Sequence, residues 1–308
     1  MAESVPRGHK KAASRSAAQE TRAAYLFLIP AFAGLGVITY GPLIAVFVLS
    51  FFNWRGAFSP SFTGFTNFIR LFTEDPYFID SIRVTCYFSV LAVAGSMVYS
   101  LAVAMLLNRK IPARGFFRTV FYLPYILPAV AVYIGWAWLF ESNFGLFNYI
   151  LTSIGIDKVH FIADPKLVVP SLAVIAVWLS GNTIVIFLAG LQNVPAVYYE
   201  AAEIDGANAW HRFRHITIPV MTPIIFYNLL MALITNLQVV TPALALTLGG
   251  PGNSSMFMTY LMYRYAFRSG QLGYASTISF VFFAIIAVFT GILFATSKEW
   301  VFYQEGDK

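Results

Sequence analysis

Long stretches without a charged side chain alternate with short polar connections along the 308-residue chain. Six of these stretches are at least as long as the roughly 20 residues with which an α-helix crosses the hydrocarbon core of a bilayer. They are Ala23–Trp54, Val84–Asn108, Thr119–Phe140, Leu167–Tyr199, His215–Tyr263 and Ser269–Ser297. Their apolarity is continuous rather than alternating, which favours helices over barrel strands. The pattern therefore predicts an all-α membrane protein with six transmembrane helices.

Turn-forming residues set the ends of the predicted helices inside these stretches. In the longest stretch, Pro242 and the sequence LGGPG at 248–252 indicate one helix followed by a loop. Pro124 and Pro128 stand four residues apart and should bend or loosen the third helix. The predicted spans are about Ala24–Phe52, Val84–Leu107, Thr119–Phe140, Val168–Leu191, Val220–Leu244 and Tyr274–Thr296.

Composition and charge agree with a membrane protein. Hydrophobic residues make up 58% of the chain and charged residues only 11%, whereas a soluble domain carries about 25% charged residues. Thirteen of the 20 Lys and Arg residues lie in the two terminal tails and in the second and fourth connections. The excess of positive charge in cytoplasmic connections then predicts that both termini are cytoplasmic. The same reasoning explains the net charge of +6 without a nucleic-acid partner.

The chain divides into three predicted regions. Residues 1–22 are polar, basic and rich in Ala and Ser, which predicts a disordered cytoplasmic tail. Residues 23–297 form the membrane domain, and residues 298–308 form a second cytoplasmic tail. The first apolar stretch is too long for a cleaved signal peptide and no small-residue cleavage site follows it.

Several kinds of chemistry are missing from the sequence. It contains no phosphate-binding P-loop, no HExxH, no CxxC and no GxSxG motif. The single cysteine, Cys86, excludes an internal disulfide, and His211 and His215 have no third metal ligand close in sequence. The predicted spans hold no Asp, Glu, Lys or Arg, which weakens a proton-coupled or sodium-coupled mechanism. Neither a metal site nor a membrane-embedded enzyme is predicted.

Neutral polar residues remain inside the fourth and fifth spans. Asn228 and Thr235 are seven residues apart and share a helix face, which Gln238 extends. Neutral hydroxyls and amides suit a neutral polyol better than an ion, although such residues also form hydrogen bonds between membrane helices. The predicted substrate-pathway residues are Ser180, Asn182, Thr183, Asn228, Thr235, Asn236 and Gln238.

A polar segment, residues 195–219, separates these two spans. Its composition predicts a helix over Val197–Glu203, a turn at Asp205-Gly206 and a second helix near Ala207 with Asp205 as its N-cap. Pro219 then occupies the first turn of the fifth span. The segment carries small residues that allow close approach, two acidic residues and two aromatic residues: Ala201, Ala202, Gly206, Ala207, Glu200, Glu203, Trp210 and Phe213. It is either a docking surface for another protein or a solvated loop.

The sequence EAAEIDGANAWHRFRHITIP, residues 200–219, resembles the EAA loop of ABC importer permeases. The matching positions are Glu200, Ala201, Ala202, Asp205, Gly206, Ala207, Phe213, Ile216, Thr217 and Pro219, and Ile218 replaces the usual Leu. The stretch LALTLGGPGNSSMF, beginning at Leu244, is similar to the first permease of maltose- and glycerol-phosphate-type systems. The chain thus resembles a sugar-importer permease with a MetI-like fold.

The resemblance implies a transport machine in the cell membrane, where this multi-pass chain is neither an enzyme nor a cofactor-binding subunit. Its implied partners are a second permease, two ATPase subunits that hold ATP and Mg, an extracytoplasmic binding protein and a sugar. The EAA loop would dock on the ATPase, where Glu200 meets a basic residue and Gly206 makes the bend. Trp210 and Phe213 are interpreted as its apolar docking residues. The alternatives are import of glycerol-phosphate, polyamine or another small solute, and an ion-coupled secondary transporter.

Overall fold

The computed structural model describes residues 8–57 and 59–302, which are mostly helical. Four helical stretches are long and apolar enough to cross a membrane: Glu20–Leu49, Phe78–Asn108, Ala209–Leu237 and Leu272–Trp300. Two bent helix pairs pass the same criterion, so the described residues contain between four and six spans. The count of six and the orientation of the termini stay predictions.

The first half of the chain contains the following elements: α1 (Gly8–Gly34), a π-helical segment (Leu35–Tyr40), α2 (Gly41–Leu49), β1 (Phe52–Asn53), β2 (Ser61–Phe62), α3 (Thr66–Thr73), α4 (Phe78–Asn108), α5 (Arg114–Ile126), α6 (Ala129–Leu139) and α7 (Leu146–Ser153). The strands pair antiparallel, with Phe52 opposite Phe62.

The second half begins with a bent pair and ends with a long helix. Its elements are α8 (Val168–Trp178), α9 (Gly181–Gln192), α10 (Ala196–Ile204), α11 (Ala209–Arg212), a π-helical segment (Phe213–Thr217), α12 (Ile218–Leu237), a π-helical segment (Ala243–Thr247), α13 (Met258–Tyr263), a π-helical segment (Arg264–Arg268) and α14 (Leu272–Trp300).

The N-terminal helix differs from the prediction. It begins at Gly8, within the tail predicted to be disordered, because the Ala, Lys, Arg and Gln residues that make this segment polar are also good helix formers. Residues 1–7 lie outside the described residues, as do residues 303–308 of the predicted C-terminal tail. At its other end the first span stops at Leu49 rather than Phe52, and the short strand β1 follows.

Both bent pairs break in the middle of a predicted span. Helices α5 and α6 meet at 99°, and Pro128 is the N-cap of α6, so the predicted bend is present. Helices α8 and α9 meet at 48°, although span four was predicted as one helix without a break. At the start of α9, a Cβ on Gly181 would lie 2.8 Å from the carbonyl oxygen of Phe121. The close crossing of α9 over α5 therefore needs glycine at this position.

The fifth span also differs from its predicted range of Val220–Leu244. It extends back without interruption to Ala209 and ends at Leu237. The helix is interrupted at Val239 and Val240, and Pro242 lacks the backbone N–H that would donate to the carbonyl of Gln238 in a continuous helix.

The core forms where α4 packs against α8, α9 and α12. Serine residues repeat along the buried side of α4, and four of them are buried: Ser81, Ser89, Ser96 and Ser100. Small residues let membrane helices approach closely, because lipid provides no hydrophobic force that would press the helices together. Helix α4 is thus the central element of the bundle.

A polar cluster joins α3, α4 and α14 at the end of the bundle opposite the connection from α4 to α5. One carboxylate oxygen of Asp75 accepts two backbone N–H groups at the start of α4, at 2.8 and 3.0 Å. The other accepts the hydroxyls of Tyr265 and Tyr274 at 2.7 and 2.6 Å. Burial, together with the Asp75 carboxylate, raises the pKa of Tyr265 above its usual range. The Arg70 guanidinium lies 4.1 Å from the ring centre of Tyr274.

Candidate functional site

A cavity of about 440 Å³ lies where both bent pairs break and face α4 and α12. Its volume is in the range of small-molecule sites. Helix breaks at membrane depth are tolerated where the backbone lines a cavity, and transporter sites are commonly built there. The lining residues are Phe88, Ser96, Tyr125, Leu127, Ala129, Tyr133, Ala176, Leu179, Ser180, Asn182, Thr183, Ile186, Tyr227, Asn228, Met231, Ala232, Thr235, Asn236 and Val239.

The structure brings together six of the seven predicted pathway residues. The cavity is lined by Ser180, Asn182, Thr183, Asn228, Thr235 and Asn236. Gln238 does not line it: this residue follows the last residue of α12, and its side chain is exposed. The face shared by Asn228 and Thr235 therefore ends before Gln238, because the helix that defines the face ends at Leu237. A role of these residues in transport stays a prediction.

Two of the six residues use their polar groups within the chain. The Ser180 hydroxyl contacts that of Ser100 at 2.8 Å and donates to the carbonyl oxygen of Val177 at 2.7 Å. Ser180 thus connects the break between α8 and α9 to α4. This contact is the other role considered for these residues, a hydrogen bond between membrane helices. The Asn236 side-chain nitrogen donates to the carbonyl oxygen of Ala232, one turn earlier, at 2.8 Å.

The polar groups of the other four residues make no hydrogen bond among the described residues. Asn228 is only 3% exposed, and its side-chain nitrogen has no hydrogen-bond partner among the described residues. A buried amide without a partner lowers the stability of the fold by about 1–3 kcal/mol. Such unpaired groups are rare in native structures, so each one calls for an explanation such as a functional role. Over residues 8–57 and 59–302, the side chains of Asn182, Thr183 and Thr235 also make no hydrogen bond.

Tyrosine side chains complete the cavity, and the residue pattern of the spans did not single them out. Tyr133 is buried, whereas Tyr125 and Tyr227 are about half exposed. All three line the same cavity, and a tyrosine side chain combines an apolar ring with a polar hydroxyl. Tyr227 precedes Asn228 in the sequence, and this position could have indicated that it lies near the cavity. Tyr125 and Tyr133 reach the cavity only because the chain turns sharply between α5 and α6, which the residue pattern alone does not show.

The second candidate site is the coupling segment, as we name residues 195–219. Helix α10 ends in a turn in which the N–H of Ala207 donates to the carbonyl of Ala202 at 2.9 Å, and the N–H of Gly206 to that of Glu203 at 3.1 Å. Gly206 has a φ of +77°, as this helix-ending motif requires. The predicted turn is therefore present. The predicted capping role of Asp205 is wrong: the Asn208 side chain caps α11 by accepting from the N–H of His211 at 2.9 Å.

Contacts within the coupling segment hold α10 beside α11. Glu203 and Arg212 form an ion pair with an N–O distance of 3.6 Å, and the hydroxyls of Tyr199 and Thr217 lie 2.9 Å apart. Helix α11 continues through the π-helical segment into α12, whose first turn contains Pro219 as predicted. A displacement of α11 along its axis would therefore be transmitted to the helix that carries Asn228.

The outer surface of the coupling segment is exposed. Helices α10 and α11 contain no buried residue, and Glu200 is exposed. Trp210 is 62% exposed and lies 5.6 Å from Phe213, between ring centres, so the two aromatic residues do form one cluster. Ile204 is 87% exposed. The exposed surface of the segment therefore combines large apolar side chains with the acidic Glu200.

The fold and the two sites define a class: a helical membrane protein with an uncharged polar cavity in its bundle and an exposed polar segment between two of its spans. The chain belongs to the family of binding-protein-dependent transport system inner membrane components, whose family model matches residues 96–300. The family resemblance seen in the coupling segment is thereby confirmed, and so is the location in a membrane.

Individual relatives match almost the whole chain. A probable ABC transporter permease protein, YesP of Bacillus subtilis (strain 168), is 36% identical over 299 residues, covering 96% of each chain. The lactose transport system permease protein LacF of Rhizobium radiobacter is 33% identical, covering 89% of this chain and 94% of the relative. A crystal structure of a bacterial alginate ABC transporter, in complex with alginate pentasaccharide-bound periplasmic protein, contains a chain with a similar fold. Its TM-score is 0.78 at 22% identity, over 91% of this chain and 95% of that one.

Proposed function

We propose that the chain is a permease subunit of an ATP-driven ABC importer that moves a neutral mono- or oligosaccharide through the cavity between α4, α12 and the two bent pairs. The observation that carries the proposal is the buried Asn228 amide, which lines this cavity and has no partner among the described residues. A sugar hydroxyl would supply the missing acceptor.

The chemistry of the cavity supports a neutral polyol as the cargo. Among the described residues that line it, none is Asp, Glu, Lys or Arg. Amides and hydroxyls donate and accept hydrogen bonds without a charge that would need neutralising. The half-exposed rings of Tyr125 and Tyr227 offer flat apolar faces to the C–H side of a sugar ring. Glycerol-phosphate or a polyamine would leave its charge unpaired in this space, at a cost of several kcal/mol.

The coupling segment supports docking on a separate ATPase. Its exposed surface combines Glu200 with the ring cluster of Trp210 and Phe213, and it is continuous with α12. ATP-driven movement of the docked partner would then tilt or shift α12 and change which side of the cavity is open. The remaining proposed partners are a second permease and an extracytoplasmic binding protein, and the binding protein is in keeping with the family description.

The cargo is tested by ATP hydrolysis of the complete purified transporter with its binding protein. We expect stimulation by one of a panel of neutral sugars that includes lactose, maltose and trehalose, and none by glycerol-phosphate or spermidine. Stimulation by a charged solute alone would contradict the neutral-sugar assignment, while leaving the permease assignment intact.

The docking is tested by site-specific crosslinking. The single cysteine makes this direct, since Cys86→Ser gives a background free of cysteine. We expect Glu200→Cys in that background to crosslink to the ATPase subunit through a short thiol-to-amine reagent. The matched control is Glu74→Cys, which exchanges another exposed acidic residue, in the connection between α3 and α4. Equal crosslinking from both positions would contradict the docking proposal.

A further inference from the structure

Two arginines converge at the end of the bundle that carries the coupling segment. With the Gln192 amide oriented by its hydrogen-bond partners, its oxygen accepts from Arg114 Nη2 at 3.1 Å and from Arg118 Nη2 at 2.8 Å. The Nε of Arg114 also donates to the carbonyl oxygen of Leu107, at the end of α4, at 2.5 Å. Both guanidiniums are therefore held in place by neutral groups.

Within the part of the chain that the structure describes, no acidic residue pairs with these two charges. Among the described residues, neither guanidinium forms an ion pair with a carboxylate. Arg109 and Lys110 precede them in the same connection and add two more positive charges. Two guanidiniums that share one uncharged acceptor repel each other, and an anion bound between them would relieve the repulsion. Arginine pairs of this kind bind phosphate oxygens with a fork of N–H donors.

An apolar groove begins at Arg118, one of the two arginines, and runs along α9. It has a volume of about 180 Å³ and is lined by Leu107, Arg118, Tyr122, Gly181, Ile184, Val185, Leu188, Ala189 and Gln192. The stretch from Gly181 to Gln192 spans roughly 16 Å along the helix axis at 1.5 Å per residue. The groove is thus charged at one end, where Arg118 and Gln192 lie, and apolar along its length.

We infer that this groove binds an anionic phospholipid, with the phosphate between Arg114 and Arg118 and an acyl chain against Val185 and Ala189. A single amphiphile matches both parts of the site, the uncompensated cationic end and the apolar channel. Basic pockets between membrane helices are known to select anionic head groups. Because α9 leads through Pro195 into α10, a bound lipid would brace the root of the coupling segment. The inference requires only that the chain is a membrane protein, not the proposed cargo.

The experiment uses photolabelling of the full-length chain, purified with the subunits that co-purify with it, in nanodiscs of phosphatidylglycerol and phosphatidylcholine in equal parts. A phosphatidylglycerol probe with a diazirine on its acyl chain is activated, and the labelled peptides are mapped by mass spectrometry. We expect labelling of α9 around Val185 and Ala189, and much less with the matching phosphatidylcholine probe. Excess phosphatidylglycerol should displace the probe, whereas free glycerol-phosphate should not.

Variants separate a built site from general surface charge. Arg114→Gln and Arg118→Gln should each reduce labelling about fivefold, and Ala189→Trp should abolish it by filling the groove while both guanidiniums remain. Arg109→Gln removes the same charge from the same connection, outside the pair, and should retain labelling.

Four outcomes would overturn the inference. Equal labelling by both probes means that the groove takes any lipid. An equal loss in Arg109→Gln means that bulk charge attracts the probe. Displacement by glycerol-phosphate identifies a site for a soluble phosphate. No labelling of α9 in the assembled transporter means that another subunit covers the groove.

Discussion

The strongest structural demand in the coupling segment is the backbone conformation of Gly206. Its φ of +77° belongs to the left-handed region, and no atom lies within 4 Å of the position where a Cβ would be placed. The cost of Gly206→Ala is therefore conformational rather than steric, about 1–2 kcal/mol for a residue with a Cβ. If this free energy destabilises only the turn, the population of the bent conformation falls roughly 5- to 30-fold.

A graded series follows from the same conformational cost. Asn adopts the left-handed region more readily than Ala, so Gly206→Asn should be milder than Gly206→Ala. Proline fixes φ near −65° and has no N–H, so Gly206→Pro also removes the hydrogen bond to the Glu203 carbonyl. We expect coupling to fall in the order Gly, Asn, Ala, Pro, with the Pro variant inactive but still inserted in the membrane.

The assay is sugar-stimulated ATP hydrolysis of the assembled transporter, measured beside its unstimulated rate. Gly155→Ala is the matched control, because Gly155 has a φ of +82°, has no atom within 4 Å of its Cβ position and follows α7, outside the coupling segment. It should show the same strain without a loss of stimulation. Equal stimulation in Gly206→Ala and Gly155→Ala, or normal stimulation in Gly206→Pro, would refute the reasoning.

Three further predictions concern the cavity and the polar cluster around Asp75. Asn228→Leu should leave the free energy of unfolding unchanged or raise it by about 1 kcal/mol, because it removes an unpaired buried amide. It should also lower sugar-stimulated ATP hydrolysis at least tenfold. A destabilised but active variant would make Asn228 a packing residue. Thr235→Val should change the response to a sugar panel and Gln238→Ala should not. The reverse result would place the pathway beyond the end of α12, at Gln238. Asp75→Ala should lower the free energy of unfolding by about 3 kcal/mol in thermal unfolding, since two tyrosine hydroxyls lose a charged acceptor. Asp75→Asn should have an intermediate effect. An unchanged melting temperature would show that the cluster does not stabilise the fold.

The long helices were predictable because an uncharged stretch as long as the bilayer is thick rarely occurs outside a membrane span. The bend between α5 and α6 was also predictable, since Pro128 cannot continue a helix. The bend between α8 and α9 was not, because no proline marks it. It follows from the close crossing at Gly181, which depends on where α5 lies in the fold.

Local capping and cavity composition show where sequence reasoning ends. Asp205 and Asn208 are both good N-cap residues, and the helix-ending motif at Gly206 moved the start of α11 far enough for Asn208 to take the role. The polar residues of the cavity were found because polar groups are conspicuous in an apolar span. The three tyrosines were missed because aromatic residues are common in membrane helices, and Tyr125 and Tyr133 reach the cavity only through the bend between α5 and α6.

The central claim is that ATP, and not an ion gradient, drives a neutral sugar through this chain. The direct measurement is uptake of a radiolabelled neutral sugar from the panel into proteoliposomes that contain the assembled transporter, with ATP enclosed on the side of the coupling segment and the binding protein on the other. We expect uptake that requires both ATP and the binding protein and that is lost in Gly206→Pro. Uptake driven by a proton or sodium gradient without ATP, or unaffected by Gly206→Pro, would contradict an ATP-driven mechanism.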